Sequence, residues 1–266
     1  MVRLFNKEEL IQEIRNISER GWIKSVKRPG NDGAVGNTLE ILLGIEENNL
    51  PLPNAAEWEL KGQRAHTASL ATLFHLEPSP QGAKIVSKIL LPKYGWVHKK
   101  AGTEHPKSEM SFRSTTYGNA YTIRGFKVDV DREEKKVKID FNPDKADRSN
   151  HEIVEWLKSV RERVGLSQLN PQPYWGFDDL KYKAGSKLKN CFYVIAESKK
   201  EHNEEYFHYI SLLMLTGFSF ERFLCCLENG NILIDFDART GHNHGTKFRI
   251  KQNSWTELYS TVEKIF

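Results

Sequence analysis

Glu57, Trp58, Glu59, Leu60 and Lys61 alternate between charged and apolar residues. Successive side chains of a strand point to opposite faces. As a strand, this run sets two carboxylates and an amine on one face and turns Trp58 and Leu60 to a core. A carboxylate two residues before a lysine is the minimal equipment for metal-assisted phosphodiester cleavage. Carboxylate oxygens hold a hard cation, and an ammonium stabilises developing negative charge or orients the attacking water. The same spacing also suits an ordinary solvated ion pair on a strand, worth only about 0.2–1 kcal/mol.

The elements that must position this run lie just upstream. Gly30-Asn31-Asp32-Gly33-Ala34-Val35-Gly36 is a glycine-rich loop leading into Asn37 to Ile45. Leu39, Leu42, Leu43 and Ile45 have near-helical spacing, and Asn37 or Thr38 suits the N-cap. Glu40 would then lie in the first turn. There it either complements the helix dipole or brings a third acid to the cleft of Glu59.

A second constellation runs from Asp235 to Arg249 and contains Asp237, Arg239, His242, His244 and Arg249. His-Asn-His at 242–244 is too compact for the nuclease motif of that name, and no cysteine pair completes a zinc site. Directional hydrogen-bond groups suit base edges, arginine above all, which fits guanine bidentately in the major groove. We expect Arg239, His242, His244 and Arg249 to read bases, with Asp237 accepting from cytosine or orienting an arginine. A structural salt bridge in a polar loop is the alternative for Asp237 and Arg249. Lys27 and Arg28 before the glycine loop, and Arg64 after the acidic strand, are candidates for phosphate contact.

The chain has 266 residues and a formal net charge of +4. That is room for one large domain or two intimate lobes, and a mildly basic balance permits nucleic-acid binding without requiring it. No apolar run is long enough to span a bilayer, and the charged start lacks a signal-peptide centre. A cytoplasmic protein is expected. Cys191, Cys225 and Cys226 form no metal-ligand spacing.

Asn6-Lys7-Glu8-Glu9 reads as a capping box opening a helix over 7–20. Strands are expected over 110–116, 125–130 and 135–141, and a helix over 150–164. Asn170-Pro171-Gln172-Pro173 reads as a linker, with Tyr174, Trp175 and Phe177 as a packing plug between lobes. Beyond it come a helix over 177–188, strands over 191–197 and 206–213, and a helix over 218–228. Strands near 232–236 and 247–251 and a last helix over 254–265 complete the chain. This mixture predicts an α/β or α+β protein, a mixed sheet flanked by helices. The expected lobes are 1–170 and 171–266.

Several of these segments together resemble the MvaI/BcnI restriction endonuclease family, relatives of the MutH mismatch-repair nickase. They are Trp22, Lys27-Arg28, the loop from Gly30 to Gly36, Thr38-Leu39-Glu40, Glu46 to Leu50 and Glu59-Leu60-Lys61. The series continues in the same order through Ser69 to Phe74, Tyr174 to Asp178, Ala196 to Lys199 and His242 to Ile250. The resemblance implies a PD-(D/E)xK core, with the two lobes forming a DNA cleft. It implies a Mg²⁺-dependent type II enzyme cutting double-stranded DNA as a monomer, with a cognate DNA methyltransferase as genetic partner. Glu59 and Lys61 match the catalytic pair, Glu40 the helix glutamate, and Asn54 stands where the family carries aspartate. Asparagine ligates a hard cation without charge, so Glu57 or Glu40 would have to compensate. We expect Glu59, Glu40 and Asn54 as metal ligands. A MutH-like nickase, or a DNA-binding protein with impaired catalysis, is the alternative reading.

Overall fold

The computed structural model describes residues 5–31, 33–45, 58–67 and 69–266. In chain order the elements begin with α1 (Lys7–Glu19), β1 (Ile23–Lys24), α2 (Ala34–Leu43), β2 (Glu59–Arg64) and β3 (Leu70–His75). Then come α3 (Leu91–Tyr94), β4 (Trp96–Val97), β5 (Met110–Thr116), β6 (Phe126–Asp131), β7 (Lys136–Phe141) and α4 (His151–Val164). The remainder is β8 (Tyr174–Gly176), α5 (Phe177–Leu188), β9 (Asn190–Glu201), β10 (Glu204–Phe218), α6 (Phe220–Glu228), β11 (Ile232–Arg239), β12 (His242–Lys251) and β13 (Tyr259–Lys264). The expected mixture of helices and sheets is present.

The contacts divide the chain differently from the single cut expected at residue 170. One unit comprises 1–71, 182–222 and 251–266, the other 72–181 and 223–250, so the division falls inside α5 and α6. The segment from Asn170 to Pro173 is not a linker. It leads straight into β8, which pairs with β7 inside the second unit. Trp175 does not plug two lobes together either. It is buried in that unit, where its Nε1 donates to Leu76 O at 3.0 Å and its ring packs against Phe236 and Phe248.

The first unit is a sheet in the order β1-β10-β9-β2, with β13 also on β10. β2 runs parallel to β9 while β9 and β10 are antiparallel. α1 begins at the expected capping box, Asn6 accepting from Glu9 N and the Glu9 carboxylate from Asn6 N. Its buried Leu10, Ile14 and Ile17 join Val35, Leu39, Trp58, Leu60, Phe192 and Phe207 in one apolar core. The last segment, expected as a helix over 254–265, is a 3-10 helix over Gln252–Leu258 followed by a strand. Tyr259–Lys264 pairs antiparallel with β10 from Phe218↔Tyr259 to Leu213↔Lys264, because β10 offers it backbone partners. An available ladder outweighs a weak helical period.

The second unit holds a sheet in the order β3-β12-β11-β5-β4 and a small one in the order β6-β7-β8. α4 starts at Asn150, which caps Glu152 N, and stops at Gly165, as the sequence predicts. Ile153, Trp156, Leu157 and Val160 are its buried face.

Candidate active site and polar sheet face

α2 begins at Ala34, one turn earlier than expected, so Asn37 and Thr38 lie inside it rather than capping it. Burial of Ala34 and Val35 beside Leu39 and Leu43 extends the apolar face upstream. Thr38 is buried and accepts from Val26 N at 3.2 Å. Glu40 therefore stands in the last turn of a helix that ends at Leu43, not in its first. A carboxylate there sits at the unfavourable end of the dipole, which removes the dipole as a reason for it.

A glycine sets how closely α2 meets β2. A Cβ at Gly62 would lie 3.1 Å from Gly36 Cα, Gly36 N and Val35 Cγ1, whereas one at Gly36 would meet only Gly62 N, at 3.9 Å. Gly62→Ala is expected to force the helix carrying Glu40 away from the strand carrying Glu59. Overpacking of this kind costs about 1–3 kcal/mol. Thermal melts should show the loss for Gly62→Ala and little change for Gly36→Ala; equal melts for the two would refute the close-approach argument.

Glu59 and Lys61 share one face of β2, as the alternation predicts, while Trp58 and Leu60 are buried in the core. Trp58 stacks on Phe192 with ring centroids 4.3 Å apart. Glu59 is itself only 2 % exposed, and Lys61 Nζ lies 2.5 Å from its Oε1. Burial works against the Lys61 charge. The Glu59 carboxylate, by charge and hydrogen bond, overcomes it with smaller help from Glu40, and the pKa ends above the ordinary lysine value. Glu40 is thus within electrostatic reach of Lys61.

Cys191, opposite Glu59 across the parallel ladder, forms the floor of this region. Burial pushes its thiol up to about 12, so it stays protonated and inert. Burial likewise holds Tyr259 far above the usual phenol range, and the Tyr193 ring stacks on Trp255 at 5.5 Å.

Does the site fit a metal? Glu59 Oε2 is buried and has no hydrogen-bond partner, while Lys61 already engages Oε1. A dry carboxylate oxygen without a donor is what a hard cation completes. Among the described residues, no three His, Cys, Asp or Glu side chains form a ready-made ligand set. Asn54 and Glu57 lie outside the described residues, so the set expected from the sequence is represented here by Glu59 and Glu40.

Arg64, expected to contact phosphate, has another occupation. Its Nε and Nη2 donate to the two Glu205 oxygens at 2.8 and 2.9 Å, and Nη2 also to Asn31 O at 2.8 Å. Glu205 Oε2 accepts from Gly30 N at 3.0 Å. Arg64 and Glu205 therefore clamp the glycine-rich loop onto β2. Glu205 gave no sequence signal, because its partner is 141 residues away. Lys27 and Arg28 are exposed, as phosphate contacts would have to be.

In the second unit, the segment from Asp235 to Arg249 is a β-hairpin turning at Thr240-Gly241, not a loop. Ile232, Ile234, Phe236, Ala238, Phe248 and Ile250 are buried on one face. Asp235, Asp237 and Arg239 of β11 therefore line the other, with Lys247 and Arg249 of β12 and Arg113 and Thr115 of β5. Charges on this face are paired: Arg113 with Asp237 at 2.8 Å, Lys247 with Asp237 at 3.5 Å, Arg249 with Asp235 at 3.3 Å. Arg239 Nη1 meets Glu109 Oε1 at 2.9 Å, and Glu109 is buried. His242 and His244 are exposed near the turn, their rings 6.5 Å apart and nearly parallel. Arg113 and Glu109 carry little signal in the sequence alone. The alternation of β5 marks Arg113 as outward, but only the β5–β11 pairing places it opposite Asp237.

The family model described as MvaI/BcnI restriction endonuclease matches residues 11–259. A solved structure of restriction endonuclease MvaI with its cognate DNA substrate is 26% identical, with a TM-score of 0.75, over 98% of this chain and 100% of the other. MvaI in the absence of DNA is 27% identical, with a TM-score of 0.54, over 100% of both chains. Among curated proteins there is no match.

Proposed function

Because the chain belongs to the MvaI/BcnI restriction endonuclease family, we propose that it is a Mg²⁺-dependent type II enzyme that cuts double-stranded DNA at one short sequence. The observation that carries this reading is the buried Glu59 carboxylate. One of its oxygens is held by Lys61 and the other has no donor. The MvaI complex with cognate DNA supports double-stranded DNA as the substrate.

Glu59 Oε2, with Glu40 and the side-chain oxygen of Asn54, would hold the metal. Mg²⁺ bound there would lower the pKa of a water and neutralise charge on the phosphate. The chain's own contribution is positional and electrostatic. Lys61 keeps its proton and faces the phosphate as a fixed positive charge. It stabilises the extra negative charge that builds as the water attacks phosphorus and the P–O ester bond breaks. The polar face of β5, β11 and β12 supplies the base-reading groups: Arg239, His242, His244 and Arg249, with Asp237 orienting Arg113 and Lys247. Catalysis then belongs to the first unit and base reading to the second. We place the enzyme in the cytoplasm, acting as a monomer beside a cognate methyltransferase. No described helix is long and apolar enough to cross a membrane.

A supercoiled, unmethylated plasmid tests the reading. Incubation with Mg²⁺ should give linear DNA by way of a transient nicked circle, since one active site cuts one strand at a time. A nicked circle that persists, and forms faster with added mismatch-repair proteins, would favour a MutH-like nickase. Specific binding without any cut would favour a binding protein, with the uncharged Asn54 as the reason.

A further inference from the structure

The second unit holds a recess of about 1020 Å³ beside its polar sheet face. The recess lies at β4, the edge strand of that sheet, on the side of β5 away from β11. Trp96 of β4 and Trp156 of α4 line it, and Lys99 is exposed at its mouth. Three arginines line it as well. Arg113 is paired with Asp237 at 2.8 Å, and Arg163 donates to Pro92 O and Gly95 O, both at 2.9 Å. Arg124 has no such occupation.

Its Cζ stands 3.9 Å from the centroid of the Trp96 ring and 5.7 Å from that of Trp156. Its Nε is buried without a hydrogen-bond partner, and no described acceptor engages its two terminal nitrogens. Burial lowers the Arg124 pKa, and the Glu152 carboxylate opposes that effect without forming an ion pair. The turn that carries Arg124 is tied down: Gly125 N donates to Thr122 O at 2.8 Å and Phe126 N to Thr122 Oγ1 at 3.1 Å. An arginine stacked on an aromatic face keeps its N–H edge for a bidentate acceptor, and phosphate matches that fork. A guanidinium half removed from water, held in place and unpaired, gains from such an anion.

We propose that Arg124 binds a phosphodiester of the DNA strand that flanks the read sequence, with Lys99 beside it at the mouth of the recess. The place follows from the sheet. Arg239, His242, His244 and Arg249 stand on β11 and β12, and β5 separates those strands from β4. A DNA backbone crossing β4 has therefore already left the bases that are read. The volume of the recess admits a stretch of sugar and phosphate rather than a single ion. The proposal rests on the endonuclease reading. It differs from a purely structural role, in which Arg124 only caps the Trp96 and Trp156 rings by a cation–π contact.

Salt dependence on two duplexes separates the roles. Each phosphate neutralised contributes about 0.9 to the slope of log K against log salt on duplex DNA. Both duplexes carry a sequence that the wild-type protein cuts. One has long flanks, the other is trimmed to that sequence, and binding is measured without metal over a salt series. Arg124→Met should reduce the slope by about 0.9 on the flanked duplex and leave it unchanged on the trimmed one. Arg124→Lys should restore it, and Lys99→Met, a change at an exposed side chain, should reduce it in the same way. Melts of all variants accompany the series. A wild-type slope on the flanked duplex from folded Arg124→Met overturns the proposal, whatever its melting temperature. Should that variant not fold, a wild-type slope from Lys99→Met does so. An equal loss on both duplexes puts the phosphate inside the read sequence and overturns the flanking contact. Wild-type protein that binds and cuts no DNA overturns the endonuclease reading and this proposal with it.

Discussion

Lys61→Met is expected to slow DNA cleavage by about 10²–10³-fold, the cost of removing one preorganised donor at a developing charge. The reason lies in how Lys61 is held. Burial alone would weaken its charge, yet Glu59 at 2.5 Å keeps it protonated and points the ammonium along the face it shares with that carboxylate. The group is therefore a fixed positive charge rather than a proton donor. Its contribution belongs to the transition state, where negative charge accumulates, and much less to binding. Single-turnover kinetics should show the loss in rate, while binding of cognate DNA changes only a few-fold. Lys61→Arg keeps the charge but replaces a compact ammonium with a planar fork, and should remain well below wild type. A variant that binds ten-thousand-fold more weakly but cuts at the normal rate once bound would assign Lys61 to binding instead.

The largest effect on stability is expected at the Arg64–Glu205 clamp. Arg64→Met leaves the nearly buried Glu205 carboxylate with Gly30 N as its remaining described donor. Breaking a buried pair from one side costs about 3–5 kcal/mol. Burial pushes the Glu205 pKa up, but the Arg64 hydrogen bonds and charge and the Gly30 N–H overcome it and hold the carboxyl below its ordinary value of 4.5. A depressed carboxyl stabilises the fold above its unfolded pKa and loses that contribution as pH falls through the folded pKa. The deficit of Arg64→Met relative to wild type should thus be full above pH 4.5 and shrink below it. Denaturant titrations at several pH values check this. A deficit independent of pH would show that Arg64 acts through packing, such as its stacking 5.3 Å over the Phe207 ring. A reduced salt slope in DNA binding, with stability intact, would return Arg64 to the phosphate.

Much of the site was legible because period-two alternation decides which side chains share a face. Glu59 with Lys61, and Trp58 with Leu60, needed no more than that. Order along the chain carried the family, the capping box marked α1, and apolar periodicity marked α4. Most of the differences share one cause, the long-range partner. Arg64 has a phosphate-contact reading in the sequence, and Glu205 on β10 gives it a structural partner that the sequence does not show. The residues 259–264 read as helix until β10 offers its backbone. Asn170 to Pro173 has linker composition, yet the next residues are already paired with β7. Glu40 differs for a local reason: Ala34 and Val35 follow a glycine-rich run that hides the true start of α2. The discontinuous units follow from strand pairing that no local pattern announces.

Digestion of a large, sequenced, unmethylated DNA with Mg²⁺, by wild type and by Glu59→Ala, tests the central claim most directly. The wild-type protein should yield discrete fragments whose ends all fall at one short sequence. Glu59→Ala, correctly folded and still bound to that sequence, should yield none. Intact DNA with both proteins, or cleavage that survives Glu59→Ala, would contradict the assignment of this carboxylate as the heart of a sequence-specific nuclease.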